Sequence, residues 1–125
     1  MSRIRKGTVI SIVIASVILI LGILILINMN GKVFTKGRCV VAASGSVLWI
    51  DDSGSPIVLS NRTEDKNIFE GLSTGDEILI LRQTAIAESY PGQVGIYYCK
   101  KLSDGSESDI PVQTLESLRE LGWIK

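Results

Sequence analysis

The sequence contains no histidine among its 125 residues and only two cysteines. The lack of histidine excludes the commonest general base, the commonest zinc ligand and the Ser-His-Asp triad. The two cysteines do not form a Cys-x-x-Cys pair, so a dithiol redox site is not indicated either. We therefore predict a protein that is not an enzyme and that holds no metal ion and no cofactor.

Charged residues are balanced in number but not in position. Three of the 13 basic residues, Arg3, Arg5 and Lys6, precede residue 8, whereas all 13 acidic residues follow residue 27. The chain after residue 27 therefore carries ten basic against thirteen acidic residues, a net formal charge of −3. Because a mildly acidic domain offers little to a phosphate backbone, nucleic acid is not predicted as a partner.

One long apolar run lies near the N-terminus. From Thr8 to Ile27, 16 of 20 residues are apolar and none is charged. As a helix this run would be about 30 Å long, which matches the hydrocarbon core of a bilayer. The run exceeds the apolar region of a secretory signal, and no small-residue cleavage pair follows it. We predict an uncleaved signal anchor that spans the membrane once.

The anchor divides the chain into four predicted regions. Basic residues flank it on both sides, so the positive-inside count is nearly balanced. Because the N-terminal charges lie closest to the span and a short tail need not be translocated, we expect a cytoplasmic N-terminus and a domain outside the cell membrane. The regions are a basic stub at 1–7, the anchor at 8–27, a juxtamembrane linker at 28–37 and one domain at 38–125.

Small residues recur along the anchor. Gly7, Ser11, Ala15 and Gly22 fall on roughly one helical face, a pattern that lets two helices approach closely. One hypothesis is a homodimer that forms through this face. The other is that small residues are simply common in membrane helices.

The domain sequence predicts five short strands. Turn-forming clusters separate the first three, as in a meander. The fourth is apolar on both faces for four residues, so we expect it to be the most buried strand. In the fifth, Val94, Ile96 and Tyr98 are expected on one face, opposite Tyr97. The predicted strands are Arg38–Ala43, Val47–Ile50, Ile57–Leu59, Glu77–Arg82 and Val94–Leu102.

A short amphipathic helix is predicted at the C-terminus. Pro111 suits its first position and Gly122 its end, and Leu115, Leu118 and Leu121 form its apolar stripe. Five strands and one helix in about 90 residues predict a small OB-like barrel, with a meander sheet crossed by the helix as the alternative. The strand order cannot be read from the sequence. Trp49 and Trp123 are expected to be core or helix-docking residues and not ligand-binding ones.

Cys39 and Cys99 both fall in predicted strands of a domain placed outside the reducing cytoplasm. A disulfide between them would close a loop of about 60 residues and stabilise the domain by about 4 kcal/mol on chain-entropy grounds. The alternative is two free thiols, at least one of them buried. The sequence leaves both open.

Two loops contain several carboxylates, at 51–55 and 104–109. Loop carboxylates suit calcium, but neither loop has the ligand spacing of an EF-hand. We interpret the Asp and Gly residues as turn formers.

The segment Glu88-Ser89-Tyr90-Pro91-Gly92 is the candidate binding site. It combines an exposed aromatic with a Pro-Gly pair that suits a type II turn, and Tyr97 on a strand face would extend it. Ser89 has no base to activate it as a nucleophile. The alternative is that Tyr90 folds back over the barrel.

These residues also resemble a known family. Gly75–Ile80, Glu88–Gln93, Lys101–Gly105 and Leu121–Trp123 are similar to segments of small exported proteins of Gram-positive bacteria that contain a domain of unknown function. The resemblance covers roughly residues 70 to 123. It implies an OB-like domain held outside the cell by a lipid or a membrane helix, with no activity assigned. Such proteins often carry a lipidated cysteine, and here a helix would replace it.

The favoured hypothesis is a membrane-anchored, non-enzymatic binding module outside a bacterial cell. Its partner would be another envelope protein or a cell-wall component. The alternative hypothesis is an accessory subunit of a membrane complex that acts mainly through its transmembrane helix.

Overall fold

A computed structural model of the protein describes residues 6–28 and 30–125 and divides the chain into two units. The first unit contains one helix, and the second, Gly31–Lys125, contains a barrel and a short helix. Most of the predicted basic stub, residues 1–5, lies outside the described residues.

The first unit is a single helix, α1, from Lys6 to Asn28. Its residues Lys6–Ile27 are long and apolar enough to cross a membrane, and none of that span is buried within the protein. The hydroxyl groups of Ser11 and Ser16 donate to the carbonyl oxygens of Gly7 and Ile12, both at 2.9 Å. These polar side chains are therefore satisfied inside the helix, as an apolar environment requires.

The second unit is a closed five-stranded barrel with the strand order β1-β2-β3-β5-β4. β3 and β5 are parallel, and all the other neighbouring strands are antiparallel. The OB-like barrel with a C-terminal helix is therefore confirmed. Its elements are β1 (Lys32–Val41), β2 (Val47–Ile50), β3 (Pro56–Asn61), β4 (Glu77–Gln83), β5 (Gly92–Ser103), a 3-10 turn (Glu107–Asp109) and α2 (Val112–Glu120).

The predicted linker at 28–37 is wrong for most of its length, because β1 already begins at Lys32. Residues Lys32 to Arg38 pair with Gln83 to Glu77 of β4. The segment has Lys32, Phe34 and Lys36 on its outer side and contains Gly37, so its local sequence is typical of a polar linker. Only pairing with a distant strand makes it β-structure.

The barrel interior is filled by alternate residues of all five strands, as the two-residue period of a strand requires. Loop residues between β3 and β4, and Ile86, close it from the ends. The interior side chains are Cys39, Val47, Trp49, Ile57, Leu59, Ile78, Ile80, Val94 and Ile96.

A second core lies between α2 and the outer face of β1 and β2. Val40, Ala42, Leu48 and Ile50 pack there against Ile110, Leu115 and Leu118. All four residues of β2 are buried, because one face meets the barrel interior and the other meets α2. β2, and not the predicted β4, is therefore the most buried strand.

The end of α2 is a Schellman motif, as Gly122 suggested. Gly122 has φ of 83°, its N–H donates to Arg119 O at 3.0 Å, and the N–H of Trp123 donates to Leu118 O at 2.9 Å. The reversal brings Trp123 onto the second core and leaves Leu121 53% exposed. The predicted place of Leu121 in the apolar stripe is therefore wrong.

Asp76 is a buried carboxylate just before β4. It accepts the backbone N–H of Ser73 at 2.8 Å and that of Gly105 at 3.0 Å, and Lys101 Nζ lies 3.9 Å away. These hydrogen bonds, the first to Ser73, hold the pKa of Asp76 below its ordinary value. Asp76 thereby fixes the segment that leads from β5 towards α2.

Candidate functional site

The candidate residues Glu88, Ser89 and Tyr90 lie in the β4–β5 loop (residues 84–91), and all three are exposed. Ser89 Oγ donates to Pro91 O at 2.8 Å, which shapes the loop and occupies the hydroxyl. The Tyr90-Pro91 peptide bond is cis, and Gly92 does not have positive φ but begins β5. The predicted type II turn is therefore wrong.

Tyr97 is not part of the same surface as Tyr90. Tyr90 borders a depression shared with the β2–β3 loop (residues 51–55) and α2. Tyr97 borders another depression, formed with residues 63–68. Lys32 Nζ lies 4.1 Å from the Tyr97 ring centroid, and Gln83 Nε2 donates to the Tyr97 hydroxyl at 3.4 Å. The structure therefore separates the predicted site into two parts.

An irregularity in β5 explains the position of the tyrosines. Leu81 pairs with Tyr98, but the next residue, Arg82, pairs with Ile96, so Tyr97 is an extra residue opposite β4. Such a bulge reverses the alternation of side chains beyond it. Tyr98 is consequently outside the barrel, and the predicted common face for Ile96 and Tyr98 is wrong.

One end of the barrel has a gap that sequence reasoning missed. β2 pairs with β1 only from Arg38 to Val41, so from Lys32 to Gly37 β1 pairs with β4 alone. Beside this free edge lies a depression of about 620 Å³. It is lined by Phe34, Thr35, Lys36, Trp49, residues 51–53, Arg82 and Ile86.

Trp49 and Arg82 form the floor of this depression, which we call the barrel gap. Trp49 is only 4% exposed, and its Nε1 is the one buried side-chain N or O atom without a hydrogen-bond partner in the described residues. The Arg82 guanidinium lies 4.9 Å from the centroid of the indole ring. A Cβ atom on Gly37 would clash with Nε1, so only glycine leaves room for the indole there.

Arg82 is held in place over the indole by neighbouring oxygens. Its Nε donates to Thr35 Oγ1 at 3.0 Å, and its Nη1 donates to Gln83 O at 2.9 Å. The barrel gap thus presents a positioned cation and the free backbone edge of β1, and the indole N–H lies buried beneath them. Donors of these kinds bind acceptor oxygens, such as those of an extended peptide. Sequence analysis placed Trp49 in the core but gave no signal for its contact with Arg82.

The two cysteines are not bridged. Cys39 in β1 fills the barrel interior, and Cys99 in β5 packs against the same core as a half-buried side chain. Burial, together with the nearby charge of Asp76, raises the pKa of Cys39 to about 12, and burial raises that of Cys99 to about 11. Both thiols are therefore protonated at neutral pH and are poor nucleophiles.

Each of the two acidic loops contains carboxylates with local partners. Asp51 Oδ1 accepts the backbone N–H groups of Ser53 and Ser55, both at 2.9 Å. In the second loop, Asp109 Oδ2 accepts the N–H of Ser106 at 2.9 Å, and Asp104 pairs with Lys101 at 2.7 Å. These contacts lie within or next to the loops themselves, as expected of acidic residues that stabilise turns.

Comparison of the chain with protein-family models and with curated proteins finds no match. What the surface binds must therefore be inferred from its own residues.

Proposed function

We propose that the protein is a membrane-anchored, non-enzymatic binding module whose barrel lies outside a bacterial cell. α1 is the uncleaved anchor, the N-terminus is cytoplasmic, and the partner is another envelope protein or a cell-wall component. The resemblance to small exported Gram-positive proteins is consistent with this placement. The protonated state of both thiols and the absence of histidine favour binding over catalysis.

The barrel gap is the observation that carries the proposal. A buried indole N–H without an acceptor costs the unbound domain about 1–3 kcal/mol. The free edge of β1 from Lys32 to Gly37 leaves further backbone groups without a strand partner. An extended segment of a partner that lies along this edge would satisfy both, and Arg82 would add a cationic contact. In this proposal, Tyr90 and Glu88 form a secondary contact on the β4–β5 loop.

Site-specific photo-crosslinking in intact cells tests this proposal. A photoreactive residue at Ser53, which lies on the rim of the gap, should yield a discrete adduct. The same residue at Glu116, on the exposed side of α2, is the matched control and should yield none. Adducts that disappear on digestion of the wall indicate a wall component, and the rest indicate a protein. Identical adducts at both positions, or none at Ser53, would contradict a site at the gap.

The alternative proposal is an accessory subunit that acts through α1. It is favoured by the small-residue face of Gly7, Ser11, Ala15 and Gly22, which lies on a helix whose side chains are exposed. Replacement of residues 8–27 by an unrelated apolar span separates the two proposals. If the crosslinks at Ser53 persist after the exchange, the binding-module proposal stands. If they disappear while the chain still folds and reaches the membrane, the helix-mediated proposal stands.

A further inference from the structure

The outer side of β1, β4 and β5 carries a second surface, which shares Phe34 and Lys36 with the rim of the barrel gap and extends from there over β4 and β5. Strand register places its residues in two adjacent rows, Phe34–Leu81–Tyr98 and Lys36–Leu79–Lys100. These side chains point outwards because Ile78 and Ile80, which alternate with Leu79 and Leu81, fill the interior. We call this surface the basic face.

The apolar row of the basic face has no cover in the described part of the chain. Phe34 is 50% exposed and Tyr98 41% exposed, although their rings meet edge to face at 6.5 Å above Leu81. α2 cannot cover them, because it packs on the outer face of β1 and β2. Phe34 and Tyr98, on either side of Leu81, are therefore available to contact a surface outside the domain.

The charge of the basic face is opposite to that of the domain as a whole. The chain after residue 27 has a net charge of −3, yet Lys36 and Lys100 flank Leu79 and form no salt bridge with any described residue. Glu77 lies one row further along β4, where it pairs with Arg38 in the strand register. Asp51 and Asp52 lie beside the face, on the barrel gap that Phe34 and Lys36 also line. Lysines beside aromatic side chains are the composition of protein surfaces that lie on anionic membranes.

The covalent chain limits how far this face can be from the membrane. Asn28 ends α1 and Lys32 begins β1, so only three residues connect them. A fully extended connection of this length spans about 14 Å. Phe34 and Lys36 follow within the first five residues of β1. If α1 spans a membrane, the connection therefore keeps the start of β1 within reach of the bilayer surface.

We infer that the basic face rests on the headgroups of an anionic bilayer, with Lys36 and Lys100 at the lipid phosphates and Phe34, Leu81 and Tyr98 between the headgroups. This inference rests on the proposed role of α1 as a membrane anchor. Docking would fix the orientation of the barrel above the membrane in which α1 is embedded.

Amine labelling of the full-length protein in lipid nanodiscs tests the inference. Discs of phosphatidylcholine alone are compared with discs that also contain phosphatidylglycerol, and labelling rates are read by mass spectrometry. Lys36 and Lys100 should react at least about fivefold more slowly in the anionic discs. Lys125, which is exposed and borders a depression with Val41 and Ala43 at the other end of β1, should change by less than about twofold. Equal rates in both discs, or an equal slowing of all three lysines, would overturn the inference.

A matched pair of variants separates docking from simple charge effects. Phe34→Ser removes an exposed apolar group from the face and should restore most of the reactivity of Lys36 and Lys100. Val112→Ser removes an exposed apolar group from α2, where Val112 is 68% exposed, and should leave the reactivity of Lys36 and Lys100 unchanged. A chain that leaves the disc on gel filtration would overturn both the anchor and the docking. A chain that stays in the disc with both lysines fully reactive would overturn only the docking.

Discussion

The two outer faces of the barrel share one strand but differ in what covers them. In the second half of β1, Val40 is buried beneath α2. In the first half of the same strand, Phe34 is half exposed, and the neighbouring backbone edge has no strand partner. The two halves of β1 therefore have different roles. The part of β1 beneath the helix contributes stability, and the part before it remains available as a surface.

Truncation of a residue beneath α2 should have the largest effect on stability. Leu118 is fully buried in the second core, so Leu118→Ala should lower the free energy of unfolding by about 3 kcal/mol. Leu121→Ala, on the exposed side of the same turn, is the control and should cost less than about 0.5 kcal/mol. Urea unfolding followed by tryptophan fluorescence measures both. Similar losses for the two variants would show that α2 does not form a core.

Asp76→Asn should have the next largest effect, about 2 kcal/mol at neutral pH, because it weakens two charge-assisted hydrogen bonds. The effect should depend on pH. The folded pKa of Asp76 lies below 3.8, so its contribution is present above that value and is lost as pH falls through the lowered pKa. Thermal melts between pH 7 and pH 2 should show a flatter profile for the variant.

Asp104→Asn is the control for this titration, because Asp104 is exposed and its bond to Lys101 is at the surface. It should leave both the stability and the pH profile nearly unchanged. A profile that flattens equally in both variants would mean that Asp76 is not the titrating group.

Gly122→Ala, at the end of α2, should lower the free energy of unfolding by about 1 kcal/mol, because alanine is strained at positive φ. Gly122→Asn should lose less than half of that, since asparagine tolerates the left-handed conformation. Differential scanning fluorimetry of the two variants gives the comparison. Equal melting temperatures would argue against strain at this position.

Tyr98→Ala on the basic face should have the smallest effect. In detergent micelles it should lower the free energy of unfolding by less than about 0.5 kcal/mol. Tyr98 is exposed and is not part of either core. A loss of unfolding free energy comparable to that of Leu118→Ala would mean that the basic face is a packing surface. The contrast between the two outer faces would then disappear.

Local patterns were sufficient to predict most of the fold. The turn clusters around residues 44–46 and 51–55 delimit β2, and Gly122 ends α2 where expected. The pairing of β3 with β5 is not a local property, because it joins residues about 35 positions apart in a parallel register. The strand order therefore does not follow from local patterns.

The candidate site was less predictable, for physical reasons that differ between residues. The exposed loop that carries Tyr90 follows from its Pro and Gly residues. The basic face does not, because the bulge at Tyr97 turns Tyr98 outwards against the two-residue period. The barrel gap depends on the contact between Trp49 and Arg82, which are 33 positions apart and share no sequence pattern.

The one-sided pairing of β1 also bears on how the domain forms. Residues Lys32 to Gly37 pair only with β4, which begins at Glu77, so this segment is made about 45 residues before its partner. During that interval it is an unpaired strand in an incompletely folded chain, the kind of segment that joins other chains in aggregates. Lys32 and Lys36 place like charges on it. The same lysines would thus keep nascent chains apart before the barrel closes.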